Sequence, residues 1–456
     1  MRETDKHILA EQDVGKLLWK LSIPSTIGMF VMSSYNAVDT IFVGRGVGTL
    51  GIAGVALVFP VQTLVLAIGQ LFGMGGASVI SMAIGAGDLS KVNKTFGNVV
   101  ISAAVLSVML SILGQIFIDP FLKVLGATDA VYPYAREYLR ISLFGTAIRC
   151  FGILSNNLIR SEGHAKISMV IMILSAVLNV ILDALFIFVF HMGVRGAAIA
   201  TLISQCSTGI YALIFFSSGK SLLRLQKIDL RPNFKIIKEI ASIGMASLGR
   251  NLSSSALIII MNNIFAGLSF DLGIAIYGVI NRVIFLSLTP INGLAQSVQP
   301  IVGFNYGAKQ YSKIDEVVKM AYFSALSITT TFFGLMMIFP TEIISLFSND
   351  PALLAEGVPA FRKIILVFPI VGMQVIGGAY FQAIGKAMKA FVLTMSRQAL
   401  VLIPLILILP RFLGVDGVFW SFPIADLVSA VITFIFVRNS LIKLRKNYIE
   451  RYEDLP

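Results

Sequence analysis

The chain has 456 residues, of which 56% are hydrophobic and only 13% charged, and its mean hydropathy is +0.86. Soluble domains carry about 25% charged residues, so the composition excludes an ordinary soluble enzyme; apolar runs of helix-spanning length recur, and the alternating ten-residue strands of a membrane barrel are absent. The formal charge of +12 is that of many nucleic-acid binders, but its placement points elsewhere.

Residues 1–20 are polar and mixed in charge, and the first apolar run is too long for the core of a signal peptide, so the first helix is expected to stay in the membrane. Twelve spans are expected, near 18–43, 50–81, 95–118, 134–157, 166–190, 194–217, 236–266, 273–300, 317–340, 361–384, 390–410 and 414–437. Most of the 36 Lys and Arg residues fall in the N-terminus, the even-numbered loops and the C-terminus. By the positive-inside rule both termini are cytoplasmic, and the basic balance reflects topology rather than a nucleic-acid partner. Cys150 and Cys206 lie inside apolar runs with no CxxC spacing, which suggests neither a disulfide framework nor a metal site.

The basic interval SSGKSLLRLQKIDLRPNFKIIK, 217–238, divides the chain into six spans and six. The expected organisation is an N-lobe 1–217, a cytoplasmic linker 218–235 and a C-lobe 236–456. The halves repeat one another in order. IFVGRGVGTLGIA (41–53) matches IFAGLSFDLGIA (264–275), and ISMAIGAGDLSKV (80–92) matches VQPIVGFNYGAKQYSKI (298–314). EGHAK (162–166) matches IGKAM (384–388), and MGVRGAA (192–198) matches LGVDGVF (413–419). A six-span repeat enters the membrane twice from the same side, so the lobes are expected to be related by a pseudo-two-fold along the membrane normal. Two parallel bundles with a cleft suit a secondary transporter, and no GxxxxGK[ST] loop is present to bind a nucleoside triphosphate.

Several polar residues interrupt the spans. Asp39 is the only charge in LSIPSTIGMFVMSSYNAVDTIFVG, 21–44, with Tyr35 one turn earlier. Asn179 and Asp183 stand four apart on the fifth span, as do Ala197 and Thr201 on the sixth; Asn156 ends the fourth. Residues four apart share a helix face. Carboxylates are expensive at membrane depth and repel one another, so a pair there suits a proton or a monovalent cation. Each polar residue also has a structural reading, as an interhelical hydrogen bond. The second half lacks the equivalent acids, with Pro404 at the repeat position of Asp183. It carries instead Arg250, Arg282, Gln296, Gln299, Gln374 and one acid of buried character, Asp426, which Arg282 is expected to pair unless both line a cavity. Pro24 precedes Asp39 on the first span and permits a kink. Met29, Met32, Met169 and Met172 read as packing residues, or as an adaptable surface for varied apolar ligands.

The segment LSIPSTIGMFVMSSYNAVDTIFVGRGVGTLGIAG, the NxxxD of the fifth span and the duplicated twelve-span plan resemble the multidrug and toxic compound extrusion (MATE) transporters, most closely their prokaryotic MepA- and DinF-like branches. The resemblance implies an all-α, non-enzymatic protein of the bacterial or archaeal plasma membrane that works as a monomer. It would export organic cations or amphipathic drugs in exchange for H⁺ or Na⁺, with no other cofactor. It assigns Asp39, Asn179, Asp183 and Thr201 to the cation or proton site (Na⁺ being one candidate occupant), with Tyr35, Asn156 and Ala197 around it. Pro24 would be a hinge, and Met32, Asn36, Met172, Arg282 and Gln299 would line the substrate cavity. The NorM-like branch has an acid in its seventh span; GMASLGRNLSSS here has none, so a second cation site of that type is not expected. A lipid-linked oligosaccharide flippase of the same superfamily is the main alternative. An integral membrane enzyme is disfavoured, because the three histidines, His7, His164 and His191, all fall in loops or termini.

Overall fold

A computed structural model describes residues 8–11, 13–224 and 227–453. Every regular element among them is helical: α1 (Val14–Val47), α2 (Thr49–Leu57), α3 (Phe59–Ala86), α4 (Leu89–Ile116), α5 (Ile118–Val124), α6 (Tyr132–Phe144), α7 (Thr146–Ser161), α8 (Ala165–Asp183) and α9 (Gly193–Ser217) precede the linker. After it come α10 (Phe234–Gly267), α11 (Asp271–Gly307), α12 (Tyr311–Ile338), α13 (Pro340–Ser345), α14 (Pro351–Ile365), α15 (Phe368–Ala383), α16 (Ala387–Met395), α17 (Ile403–Ile408), α18 (Pro410–Leu413) and α19 (Val415–Glu453).

These elements make the twelve spans. Among the described residues nine helices are long and apolar enough to cross a bilayer, and the pair α14–α15, bent by 51°, makes a tenth. The 34-residue α1 and the pair α6–α7 complete the set. They are the more polar spans, carrying Lys16, Lys20, Asp39 and Arg45, and Arg136, Glu137, Arg140, Arg149 and Arg160. Breaks have local causes. Pro60 in the first turn of α3 and Pro369 in the first turn of α15 each withhold an N–H from the preceding turn, so each ends one helix and starts another.

The internal repeat reappears in the backbone. Positive φ angles occur in pairs at matching places: Gly48 (90°) and Ser269 (53°), Gly87 (74°) and Lys309 (59°), Gly163 (84°) and Gly385 (70°), Gly193 (57°) and Gly414 (56°). A left-handed residue costs little only in glycine, so turns that persist at Ser269 and Lys309 mark a connection held by the flanking helices. The fifth span and its repeat partner, the eleventh, each widen into a π-helical stretch, at 184–189 and 396–402.

The chain divides into two compact units. One holds Ile27–Gly244; the other holds Ala10–Thr26 and the chain from Met245 onward. Within the first, α3 and the start of α10 touch backbone to backbone. A Cβ on Gly75 would lie 2.2 Å from the Ile240 carbonyl oxygen, and one on Gly244 would lie 1.9 Å from that of Leu71. Small residues permit such an approach, and any larger side chain would prise the helices apart. The core of this unit gathers Val43, Val58, Leu122, Tyr138, Leu139 and Ile187; that of the second gathers Met261, Phe265, Phe361, Phe368, Ile406 and Phe419.

The linker is fastened to the first unit rather than free. Glu162, only 1% exposed in the α7–α8 loop, accepts the Leu222 N–H (2.6 Å), the Leu223 N–H (3.2 Å) and the Ser221 hydroxyl (2.9 Å to Oε2). Asn98 Oδ1 accepts the Asn233 N–H at 2.7 Å, and Asn93 Oδ1 that of Arg224 at 3.1 Å. Lys91 pairs with Glu239 at 3.0 Å.

Candidate functional site

Three helices of the first unit supply the candidate ion site. Gly163, with its positive φ, turns the chain out of α7, and α8 then runs as an unbroken apolar helix to its last residue, Asp183. There the backbone widens into the π-helical stretch, an arrangement that changes which side chains share a face and recurs at functional positions. Asp183 is 0% and Asn179 1% exposed. Asp39 on α1 is half-buried. Its carboxyl group lies against that of Asp183, close enough for the two to share a hydrogen bond once one of them carries a proton. Thr201 on α9 accepts from Asn179 Nδ2 at 3.4 Å, a long bond.

Within this site the polar accounting is incomplete. Both oxygens of Asp183, Oδ1 of Asp39 and Oδ1 of Asn179 are buried and have no hydrogen-bond partner. Buried polar atoms are nearly always paired, and an isolated buried carboxylate is costlier than any neutral group. Four oxygens from two carboxylates and an amide, all lacking donors, form a donor set suited to a proton or a hard monovalent cation.

Tyr35, one turn before Asp39, lies within electrostatic reach of both acids and of Arg149. Two further residues belong to this neighbourhood that the spacing argument did not single out. Tyr138 on α6 lies within reach of Asp39, Tyr35, Arg149 and Gln62, and Arg149 on α7 is half-buried. The available signal was Arg149 itself, a cation within a span.

The other expected residues are placed as follows. Ala197 is fully buried one turn before Thr201 and packs in the core with Val43, Ile187 and Val194. Asn156 joins a different network. Its Oδ1 accepts from Ser168 (2.9 Å), which accepts from the buried Arg160 (3.1 Å), and its Nδ2 donates to the Gly152 carbonyl (3.1 Å). Ser168 lies eleven residues, about three turns, before Asn179 on α8, so these contacts do not reach the acid pair. Met172 is buried, its sulfur against Gly28 where α1 meets α8, and Met32 is 37% exposed. The side chain of Asn36 lies outside the described residues. In the second unit Gln299 is buried and Arg282 exposed on α11. α1 runs without a break through Pro24.

One expectation is corrected. Asp426 does not pair with Arg282. It is gripped by Arg397, Nε to Oδ1 at 2.6 Å and Nη2 to Oδ2 at 3.4 Å, with Asp426 4% exposed. Arg397 sits in the π-helical stretch 396–402, and its planar fork matches both carboxylate oxygens, whereas the Arg282 side chain is on an exposed face.

The comparisons with known proteins agree with this architecture. The MatE family model matches residues 24–185 and 247–408, one match in each half. The multidrug export protein MepA of Staphylococcus haemolyticus is 26% identical over 453 residues, 99% of this chain and 100% of the relative. The solved MATE multidrug transporter DinF-BH is 40% identical, with a TM-score of 0.87 over 93% of this chain and 95% of that one. A MATE solved in a bent conformation is 29% identical, with a TM-score of 0.89 over 96% of this chain and 98% of that one. Matched in both halves and over nearly its full length, the chain belongs to the MatE family of multidrug transporters.

Proposed function

We propose that the protein is a cation-coupled antiporter that exports organic cations or amphipathic drugs in exchange for H⁺ or Na⁺, with both termini in the cytoplasm of a bacterial or archaeal cell. The observation that carries the coupling is the set of four partnerless buried oxygens on Asp39, Asn179 and Asp183. Two carboxylates at membrane depth repel one another and gain by sharing a proton or holding Na⁺. An ion that binds one transport state better than the other shifts the population toward it; a drug that prefers the other state then binds more weakly, and by reciprocity weakens the ion equally. Pro24 supports a hinge in this cycle. It lies near the residue at which α1 passes from one compact unit to the other, and it removes one backbone hydrogen bond there.

Ethidium efflux from proteoliposomes tests the reading, with a pH gradient and a Na⁺ gradient imposed separately. One gradient is expected to drive export by the wild type, and Asp39→Asn to abolish it without loss of folded protein. If neither gradient moves ethidium or a panel of organic cations, drug antiport fails and lipid-linked oligosaccharide flipping becomes the activity to assay.

A further inference from the structure

A cavity of about 670 Å³ opens at the surface of the first unit, where α6 and the first turn of α9 lie side by side. Its lining includes Tyr132, Arg136, Glu137, Arg140, Phe144 and Arg195. Three guanidinium groups face one carboxylate. Arg195 Nε stands 3.5 Å from Glu137, and Arg136 Nε stands 2.8 Å from Asp119, which also accepts from the Tyr132 hydroxyl at 2.7 Å. Among the described residues no ion pair takes Arg140; its carbonyl alone is engaged, accepting from Gln115 Nε2 at 2.7 Å. The cavity therefore holds positive charge in excess, with one guanidinium uncommitted.

Charge and apolarity are graded along one face. Arg136, Arg140 and Phe144 follow at helical spacing on α6, and Ile148 continues the line on α7. Phe144 is 67% and Ile148 41% exposed, apolar surface on a membrane span that lipid would cover. Arg forks hold phosphate through paired hydrogen bonds, and basic pockets between membrane helices suit anionic headgroups. A free anion would use the arginines alone; a phospholipid would also lay its chain along Phe144 and Ile148.

We propose that this cavity binds the phosphate headgroup of an anionic phospholipid, with an acyl chain against Phe144 and Ile148. The inference rests on the membrane-spanning fold and is independent of ion coupling or drug export.

Native mass spectrometry of the detergent-purified full chain tests it, with phosphatidylglycerol, phosphatidylcholine and inorganic phosphate as probes. Wild type is expected to retain phosphatidylglycerol at least tenfold more tightly than phosphatidylcholine, and millimolar inorganic phosphate to leave it bound. Arg140→Ala, which breaks no ion pair, is expected to weaken retention fivefold or more. Arg140→Ala with Arg195→Ala should weaken it further, while Arg411→Ala, an exposed cation of the second unit, should change nothing. Melting temperatures without added lipid show that each variant is folded. Equal retention of the two lipids, or unchanged retention in Arg140→Ala, overturns the proposal. Displacement of the lipid by inorganic phosphate also overturns it, by making a free anion the ligand.

Discussion

Asp183 and Asp426 are both buried acids on membrane spans, and their surroundings are opposite. Asp426 is held by both arms of Arg397; Asp183 has no partner for either oxygen and faces a second acid, Asp39. A resident guanidinium neutralises a carboxylate permanently, and removing either partner strands the other charge. An acid pair without one is relieved only by a proton or by a cation from solution. The π-helical widening accompanies both arrangements, so it sorts nothing by itself. Who supplies the positive charge, side chain or solvent, separates the structural acid from the candidate ion site.

The largest expected effect comes from moving the first site toward the second. Asn179→Arg would set a resident cation one turn from Asp183. Gradient-driven efflux should then fall about tenfold or more, equivalent to at least about 1.4 kcal/mol of lost coupling, with folded protein still recovered. Asp183→Asn should do the same by removing the charge. Full transport in either variant would break the distinction. In the converse experiment, Asp426→Asn strands Arg397 and should cost about 3–5 kcal/mol, read as a lowered melting temperature in detergent. Arg397→Met with Asp426→Leu should recover most of that loss, because a well-packed apolar pair replaces a buried ion pair at little cost.

Glu162 sharpens the comparison as a third kind of buried acid, satisfied by hydrogen bonds rather than by a partner charge. Burial pushes its carboxyl up to about 7, against the opposing pull of the Ser221 hydroxyl and the Leu222 and Leu223 N–H groups. Because the folded protein holds the proton more tightly than the unfolded chain, this carboxyl contributes most stability below its ordinary range, near 4.5. That contribution is lost as pH rises through about 7. Thermal unfolding across this window should show the decline, and Glu162→Gln should flatten it, since an amide oxygen still accepts both N–H groups and the amide nitrogen can donate to Ser221. Glu162→Ala leaves the Leu222 N–H without an acceptor, while that of Leu223 keeps Ser221 Oγ at 3.0 Å, and should cost about 1–3 kcal/mol.

Much of the architecture was legible because hydropathy and lipid impose it. The twelve spans and the duplication follow from apolar runs and repeated segments, whereas the second span, expected unbroken over 50–81, is divided ahead of Pro60. Asn179 and Asp183 were legible as one face because spacing within a helix is local. What spacing cannot carry is which helices meet. Asn156 stands only seven positions after Arg149, yet it turns to Ser168 and Arg160 while Arg149 lies near the tyrosines of the acid pair. Arg397 gave no sign of its role because Asp426 comes from another helix. Arg282 looked equally suitable in sequence and differs only in the face it occupies.

The smallest effect belongs to Thr201, which tests how the neutral oxygens serve the acid pair. Its hydroxyl accepts from Asn179 at 3.4 Å, long for such a bond, so its net worth is about 0.5–1 kcal/mol. Thr201→Val keeps the shape and removes the hydroxyl. If Thr201 only orients Asn179, the ion concentration for half-maximal efflux should rise by a few-fold, with the maximal rate unchanged and Thr201→Ser restoring it. A rise of about a hundredfold, near 2.7 kcal/mol, would make the hydroxyl a direct ligand of the ion. No change would mean that Asn179 is held by packing alone, leaving the two carboxylates to distinguish this site from the arginine-bound acid of the second unit.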